Sequence, residues 1–382
     1  MLLFNNLAME GAKMKKIIAL LATVVGLAIF SIVNVSGGKL PSVGYVLVGP
    51  KNDGGWSMRH SQGFDILTKY GYNVTGVESV VEADSGKVFA KLARKNDIVF
   101  GTSFGFMKPM VKVAAKNPDT IFMHATGYMG SDNMDNYVCR GYQARYLTGV
   151  AAGLLTKTNN IGVVGSHPIP EIVRNINAIA LGARSVNPKA KVNVIWINAW
   201  FDPPKDTDAS NALYESGNDV LYTTGDIPSV VILAEKESTP EKPIWSMGND
   251  APMNSFGPNR IVTGVIFNWN LLYKEIVDKL AAGKLEMGQK YFRGLKEGCA
   301  ALSPWGLEVP QEVSNHVDTL KMRWINDMQE TNGQHWDELW PFSGGYNKRD
   351  GTPVAAGSVD RHQLDTMGYY VEGIAQPFPT SE

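Results

Sequence analysis

Short apolar runs rich in β-branched residues recur along the chain, at 43–48, 74–77, 98–101, 121–125, 161–164, 192–197, 220–223, 244–247 and 261–266, and they constrain the fold more than any other feature. Most are apolar throughout rather than alternating, which is the pattern of strands buried on both faces of a parallel sheet. Helix-compatible segments lie between them, at 61–69, 86–94, 107–115, 144–155, 171–185, 206–215 and 271–281. This alternation predicts an α/β fold of doubly wound, Rossmann-like sheets, with ligands bound beyond the carboxyl ends of the strands.

At 382 residues the chain exceeds one ordinary domain, so two lobes are expected. The strand pattern restarts at Asn159-Asn160-Ile161-Gly162 after the helix at 144–155, which places a passage between lobes near Lys157. A second passage is expected after the helix ending near Gly283. The irregular remainder, with Trp305, Trp324, Trp336 and Trp340, would wrap back over the first lobe. The expected partition is 38–157 with 284–382 for the N-terminal lobe and 158–283 for the C-terminal lobe.

Met14-Lys15-Lys16 precedes an uncharged stretch at 17–33 and then Asn34-Val35-Ser36-Gly37-Gly38, the order of a secretory signal peptide. Residues 1–37 are read as that signal, with 1–13 an over-extended start and cleavage near Gly37. A permanent anchor is the competing reading, since 17 residues are at the short limit for a bilayer span. No Cys follows the apolar run to carry a lipid, so a free, monomeric periplasmic protein is expected. Only Cys139 and Cys299 occur, and in an exported protein they form one bridge or stay as two buried thiols.

Net charge is -1 and the basic residues are dispersed, which excludes an electrostatic footprint for nucleic acid. Histidines 60, 124, 167, 316, 335 and 362 have no metal-ligand spacing, so neither a metal nor a cofactor is expected. His60, His124 and His167 follow strands closely enough to meet a ligand. Gly101-Thr102-Ser103-Phe104-Gly105 matches the G-x-S-x-G nucleophile elbow between strand and helix. A serine hydrolase built on Ser103 would need a later Asp and His, for which His335 or His362 serve by order alone. The same loop works as a small-residue approach to a ligand, with Phe104 reaching it.

Asp53-Gly54-Gly55-Trp56-Ser57 follows the first strand without the G-x-G-x-x-G order of a phosphate loop, and offers the face of Trp56 instead. Asn198-Ala199-Trp200-Phe201-Asp202 follows a later strand in the same way. Trp56 and Trp200 on facing lobes would sandwich a flat ring, while polar residues after strands, Ser103, Asn177, Asp226, Asp250 and Asn268, would read its edge.

These segments, with His124-Ala125-Thr126-Gly127, Ser166-His167-Pro168-Ile169-Pro170-Glu171 and Tyr369-Tyr370-Val371-Glu372-Gly373, resemble the basic membrane protein family of ABC-transporter substrate-binding proteins. The similarity is to its purine nucleoside receptor branch, and the Pro-Ile-Pro-Glu and Trp-Phe-Asp-Pro segments look like members associated with adenine-type nucleobases. The resemblance implies a type I periplasmic binding fold with a three-strand hinge, no catalysis, and delivery of the ligand to an ABC permease. By matching segment, Trp56 and Trp200 would stack on the base, Phe104 line the pocket and Asp250 accept a hydrogen bond. Nucleoside-binding members place a Lys near the segment at 265–268, where this chain has Asn268-Trp269. That departure favours a bare purine base over a nucleoside; a nucleoside or another flat heterocycle is the alternative.

Overall fold

The computed structural model describes residues 39–326 and 337–379. The expected signal peptide, its cleavage position, His335 and Trp336 lie outside them. The first sheet comprises β1 (Val43–Val46), β2 (Val74–Val77), β3 (Ile98–Gly101), β4 (Ile121–Ala125), β5 (Met134–Cys139) and the short β11 (Tyr291–Arg293). Its order is β11-β5-β4-β3-β1-β2, and every neighbouring pair is parallel.

The second sheet comprises β6 (Asn160–Gly165), β7 (Lys191–Trp196), β8 (Val220–Thr223), β9 (Trp245–Gly248), β10 (Ile261–Phe267) and β12 (Ala300–Leu302). Its order is β12-β10-β9-β8-β6-β7, parallel except for β12. Each sheet thus reverses its strand order once, between β1 and β3 and between β6 and β8. At such a point neighbouring loops diverge and leave a crevice beyond the strand ends. Strands β3, β5, β8 and β9 are buried at every position, as expected for sheets covered on both faces.

Helices α1 (Trp56–Lys69), α2 (Ser85–Ala93) and α3 (Met107–Ala114) connect strands of the first sheet. Helices α5 (Pro170–Val186), α6 (Pro203–Glu215) and α7 (Ser229–Glu237) connect those of the second, with α4 (Gly141–Leu155) leading into it. The chain continues through α8 (Trp269–Ala281), α9 (Gln311–Asn326) and the short α10 (Arg361–Asp365).

The passages between sheets fall elsewhere than expected. Helix α4 leaves β5 at Arg140 and packs along α5, so the first passage is near Arg140, not Lys157. The packing is close because it is built from glycines: a Cβ on Gly149 would lie 2.3 Å from the Ile179 carbonyl oxygen, and one on Gly182 2.1 Å from that of Tyr146. Helix α8 packs on α1, where Tyr273 stacks on Phe64 at 3.9 Å between ring centroids, so the second passage is near Asn268 rather than Gly283. The third runs through residues 294–299, between β11 in one sheet and β12 in the other. Cys139 and Cys299, the alternatives left open above, form a disulfide that ties the first passage to the third.

The tail also departs from its expected place over the first lobe. Gly373 and Ala375 exchange backbone hydrogen bonds with Val192 of β7, the outermost strand of the second sheet, and Ile374 pairs with it. An edge strand exposes unpaired backbone groups, and the tail covers this one. Trp340 packs on Tyr146 of α4 with ring centroids 4.0 Å apart.

Candidate functional site

One cleft collects loops from the carboxyl ends of both sheets and holds about 560 Å³ of atom-free space counted to its open mouth. The order reversals dictate its lining. Val48 and Trp56 follow β1, Ser103 and Phe104 follow β3, and Thr126 follows β4. From the second sheet come Ile169, Glu171, Ile172 and Asn175 after β6, Trp200 after β7, Thr224 and Asp226 after β8, Asn249 and Asp250 after β9, and Phe267 at the end of β10. Six of the eight residues expected at the site, Trp56, Ser103, Phe104, Trp200, Asp226 and Asp250, are therefore brought together.

Trp56 is the first residue of α1, and its indole Nε1 donates to the Thr102 carbonyl oxygen at 2.6 Å, which fixes the ring against the loop carrying Ser103. The Ser103 hydroxyl donates to Glu82 Oε1 at 3.0 Å, and His124 Nε2 bonds the Ser103 carbonyl oxygen at 2.8 Å. Asn249 Nδ2 donates to the Gly225 carbonyl oxygen at 3.0 Å, coupling the loops after β8 and β9. Thr126 and Asp250 both have positive φ, 58° and 59°. That region is costly for side chains other than glycine, most of all a β-branched one, and such strain gathers where a fold must aim a residue.

Three buried carboxyl groups share the cleft, and no lysine or arginine is among its described lining residues. Burial pushes the Asp250 carboxyl up to about 7; the charge of Arg145 works against this, while Glu171 and Asp53 add to it. Burial, then the nearby Asp250 and Asp53, hold Asp226 well above the usual carboxylate range. Glu171 is raised by burial, with Arg174 opposing. A carboxyl group whose value lies near neutrality, as that of Asp250 does, can donate as well as accept a hydrogen bond, so the cleft can match a ligand edge that carries both functions.

The other two expected residues do not line the cleft. Asn177 donates to the Tyr369 carbonyl oxygen at 2.9 Å and accepts from the Val371 amide at 3.1 Å, so it holds the tail. Two positions along an α-helix amount to a rotation of about 200°, so Asn177 points away from the face that carries Asn175. Asn268 donates to the Gly298 carbonyl oxygen and accepts from Arg59, and so joins the second and third passages. The three histidines expected near a ligand lie outside the lining too. His60 is buried against Tyr273, His124 braces Ser103, and His167 stands beside Trp200 with ring centroids 4.8 Å apart. Ser103 has an extended backbone (φ -124°, ψ 142°) in place of a strained elbow, and its hydroxyl faces Glu82 rather than a histidine among the described residues.

Sequence reasoning passed over Thr126 and Glu171, although each sits in a strand-end segment already singled out, and Asn249, which directly precedes Asp250. Ile172 and Asn175 share a helical face with Glu171, a periodicity that would have flagged them.

Two doubly wound sheets joined by three passages, with a cleft at both order reversals, define a two-lobed ligand-binding protein of the type I periplasmic class. The chain matches the Bmp family, described as ABC transporter substrate-binding protein PnrA-like, over residues 40–330, and it belongs to that family. Substrate-binding proteins of ABC importers are extracytoplasmic, bind small molecules and work with a membrane permease.

TsgA13 of Haloferax volcanii, which carries the name of a glucose-binding protein of an ABC transporter, is 36% identical over 348 residues, 90% of this chain and 83% of its own. A purine-binding protein of Brucella abortus is 35% identical over 344 residues, 88% of this chain and 93% of its own. Among solved structures, an ABC transporter solute-binding protein from Aeropyrum pernix superposes with a TM-score of 0.64 at 18% identity, covering 75% of this chain and 91% of that one; it supports the fold alone.

Proposed function

We propose that this chain is the periplasmic binding component of an ABC importer, freed from its signal peptide near Gly37, that closes on a purine base of the adenine type and delivers it to a permease without chemical change. The observation that carries the reading is the company of Trp56, Phe104, Trp200 and Phe267 with three buried carboxyl groups in one cleft. Aromatic faces stack on a flat heterocycle for about 1 to 3 kcal/mol per base, whichever base it is. Specificity then falls to the edge, read by Ser103, Asp226 and Asp250. A carboxyl group that holds a proton pairs with an aminopurine through two hydrogen bonds, donating to a ring nitrogen and accepting from the adjacent amino group.

The cleft's want of a described cation to meet ribose hydroxyls supports a free base over a nucleoside. The purine-binding name of the Brucella relative supports the ligand class. The Haloferax relative's name makes a hexose the comparison to exclude, and the apolar Val48, Ile169 and Ile172 suit a purine better than a ring of hydroxyls. Native mass spectrometry of protein purified without denaturation tests the reading. A retained mass equal to a purine base is expected, whereas a retained hexose would overturn it.

A further inference from the structure

Helix α1 has an unusual division of labour at its amino end. Asp53, two residues before Gly55, accepts the backbone N–H groups of Gly55, Ser57 and Met58 at 3.0, 2.8 and 2.9 Å. The amide left over is that of Trp56, and it donates 2.6 Å to Oδ1 of Asp226, 170 residues away on the loop after β8 of the other sheet. First-turn amides have no partner within their own helix, so this one exchanges water for a protein partner when the two lobes meet. Gly55 keeps the path open: a Cβ there would lie 1.9 Å from Asp226 Oδ1. On its own side Asp226 is held by the loop bonds from Gly225 N–H to Thr223 Oγ1 and from Asn249 to the Gly225 carbonyl oxygen.

We infer that Asp226 is the closure latch of the cleft, a positioning residue that crosses between the lobes to the amino end of α1 and there fixes Trp56, so that it governs how long a ligand is retained. One carboxylate oxygen serves the latch and leaves the other free for the ligand edge. An acceptor oxygen at a helix amino end meets an amide with no partner inside its helix and the positive end of the helix dipole, so this is a bond that closure adds. Bringing Asp226 beside Asp53 and Asp250 costs Coulomb energy, which a ligand presenting N–H donors offsets, so closure is favoured around a suitable occupant. The latch rests on lobe closure and not on which ring fills the cleft.

The test is hydrogen exchange of the Trp56 amide, resolved by NMR, in the full chain with and without saturating adenine, paired with stopped-flow dissociation of adenine. For Asp226→Ala the amide is expected to exchange about 10-fold faster or more than in the unaltered protein, and adenine to leave faster by a similar factor, with association changed far less. Asp226→Asn, which keeps an acceptor oxygen, should restore most of the protection; Asp226→Ser, whose hydroxyl stops short, should not. If adenine leaves faster while the amide stays protected, Asp226 is a ligand contact only and the latch is refuted. Should adenine fail to bind at all, the purine reading fails, and the same exchange comparison made with saturating glucose, or with protein that keeps its co-purified ligand, decides the latch.

Discussion

Replacing Cys139 and Cys299 together by alanine removes a cross-link that closes a loop of 160 residues between the first and third passages. The chain-entropy relation gives about 5 kcal/mol for a loop of that length at 25 °C, and native disulfides commonly contribute about 2 to 5 kcal/mol. Both sulfur atoms are buried, so part of any loss reflects two small cavities rather than the cross-link. Urea unfolding followed by Trp fluorescence separates the two effects by comparing the double variant with the unaltered protein, oxidised and reduced. The oxidised protein should exceed both others by about 3 to 5 kcal/mol, and the double variant should lie within about 1 kcal/mol of the reduced protein. A difference below about 1 kcal/mol between the oxidised and reduced forms would refute the reasoning, because it would mean that the unfolded chain gains little freedom when the bridge is lost.

Trp200→Ala should weaken binding of adenine by about 10- to 100-fold in a calorimetric titration, the loss of one stacking face; an unchanged affinity would remove Trp200 from the site. Gly149→Ala should cost about 1 to 3 kcal/mol in thermal or urea unfolding, because its methyl group would push α4 off the backbone of α5; an unchanged midpoint would show that the helices slide freely. Burial raises the Asp206 carboxyl to about 6, against the pull of the Ser229 and Thr223 hydroxyls. A raised folded-state value penalises the ionised form, so the cost develops as pH rises from 3.8 and is complete above about 6. Asp206→Asn should therefore stabilise the protein by up to about 3 kcal/mol at pH 8 and hardly at all at pH 3; equal gains at both values would contradict that sign.

Strand runs and their α/β alternation were legible because burial on both faces of a sheet leaves its mark in one dimension. The lining of the cleft was legible to the same extent, since residues directly after a strand must lie near the crevice, and Trp56, Ser103, Phe104, Trp200, Asp226 and Asp250 do line it. Packing partners leave no such mark. Helix α4 is apolar and rich in small residues whichever sheet it serves, and only the approach of Gly149 and Gly182 shows that it belongs with α5. Helix α8 likewise follows a strand of the second sheet, yet sends Tyr273 into the core beside Phe64. Asn177 faces the tail and not the cleft because its helical face, not its residue type, decides what it meets. Neither the spacing nor the type of Cys139 and Cys299 distinguished a bridge from two thiols, because the passages that bring them together are a property of the tertiary fold.

Titration of the purified protein with adenine, guanine, hypoxanthine, adenosine and glucose, followed by Trp fluorescence and calorimetry, tests the central claim most directly. Adenine is expected to bind with a dissociation constant of about 1 μM or lower, to outrank adenosine, and to be recovered unchanged. Binding of glucose with no response to any purine would contradict the claim.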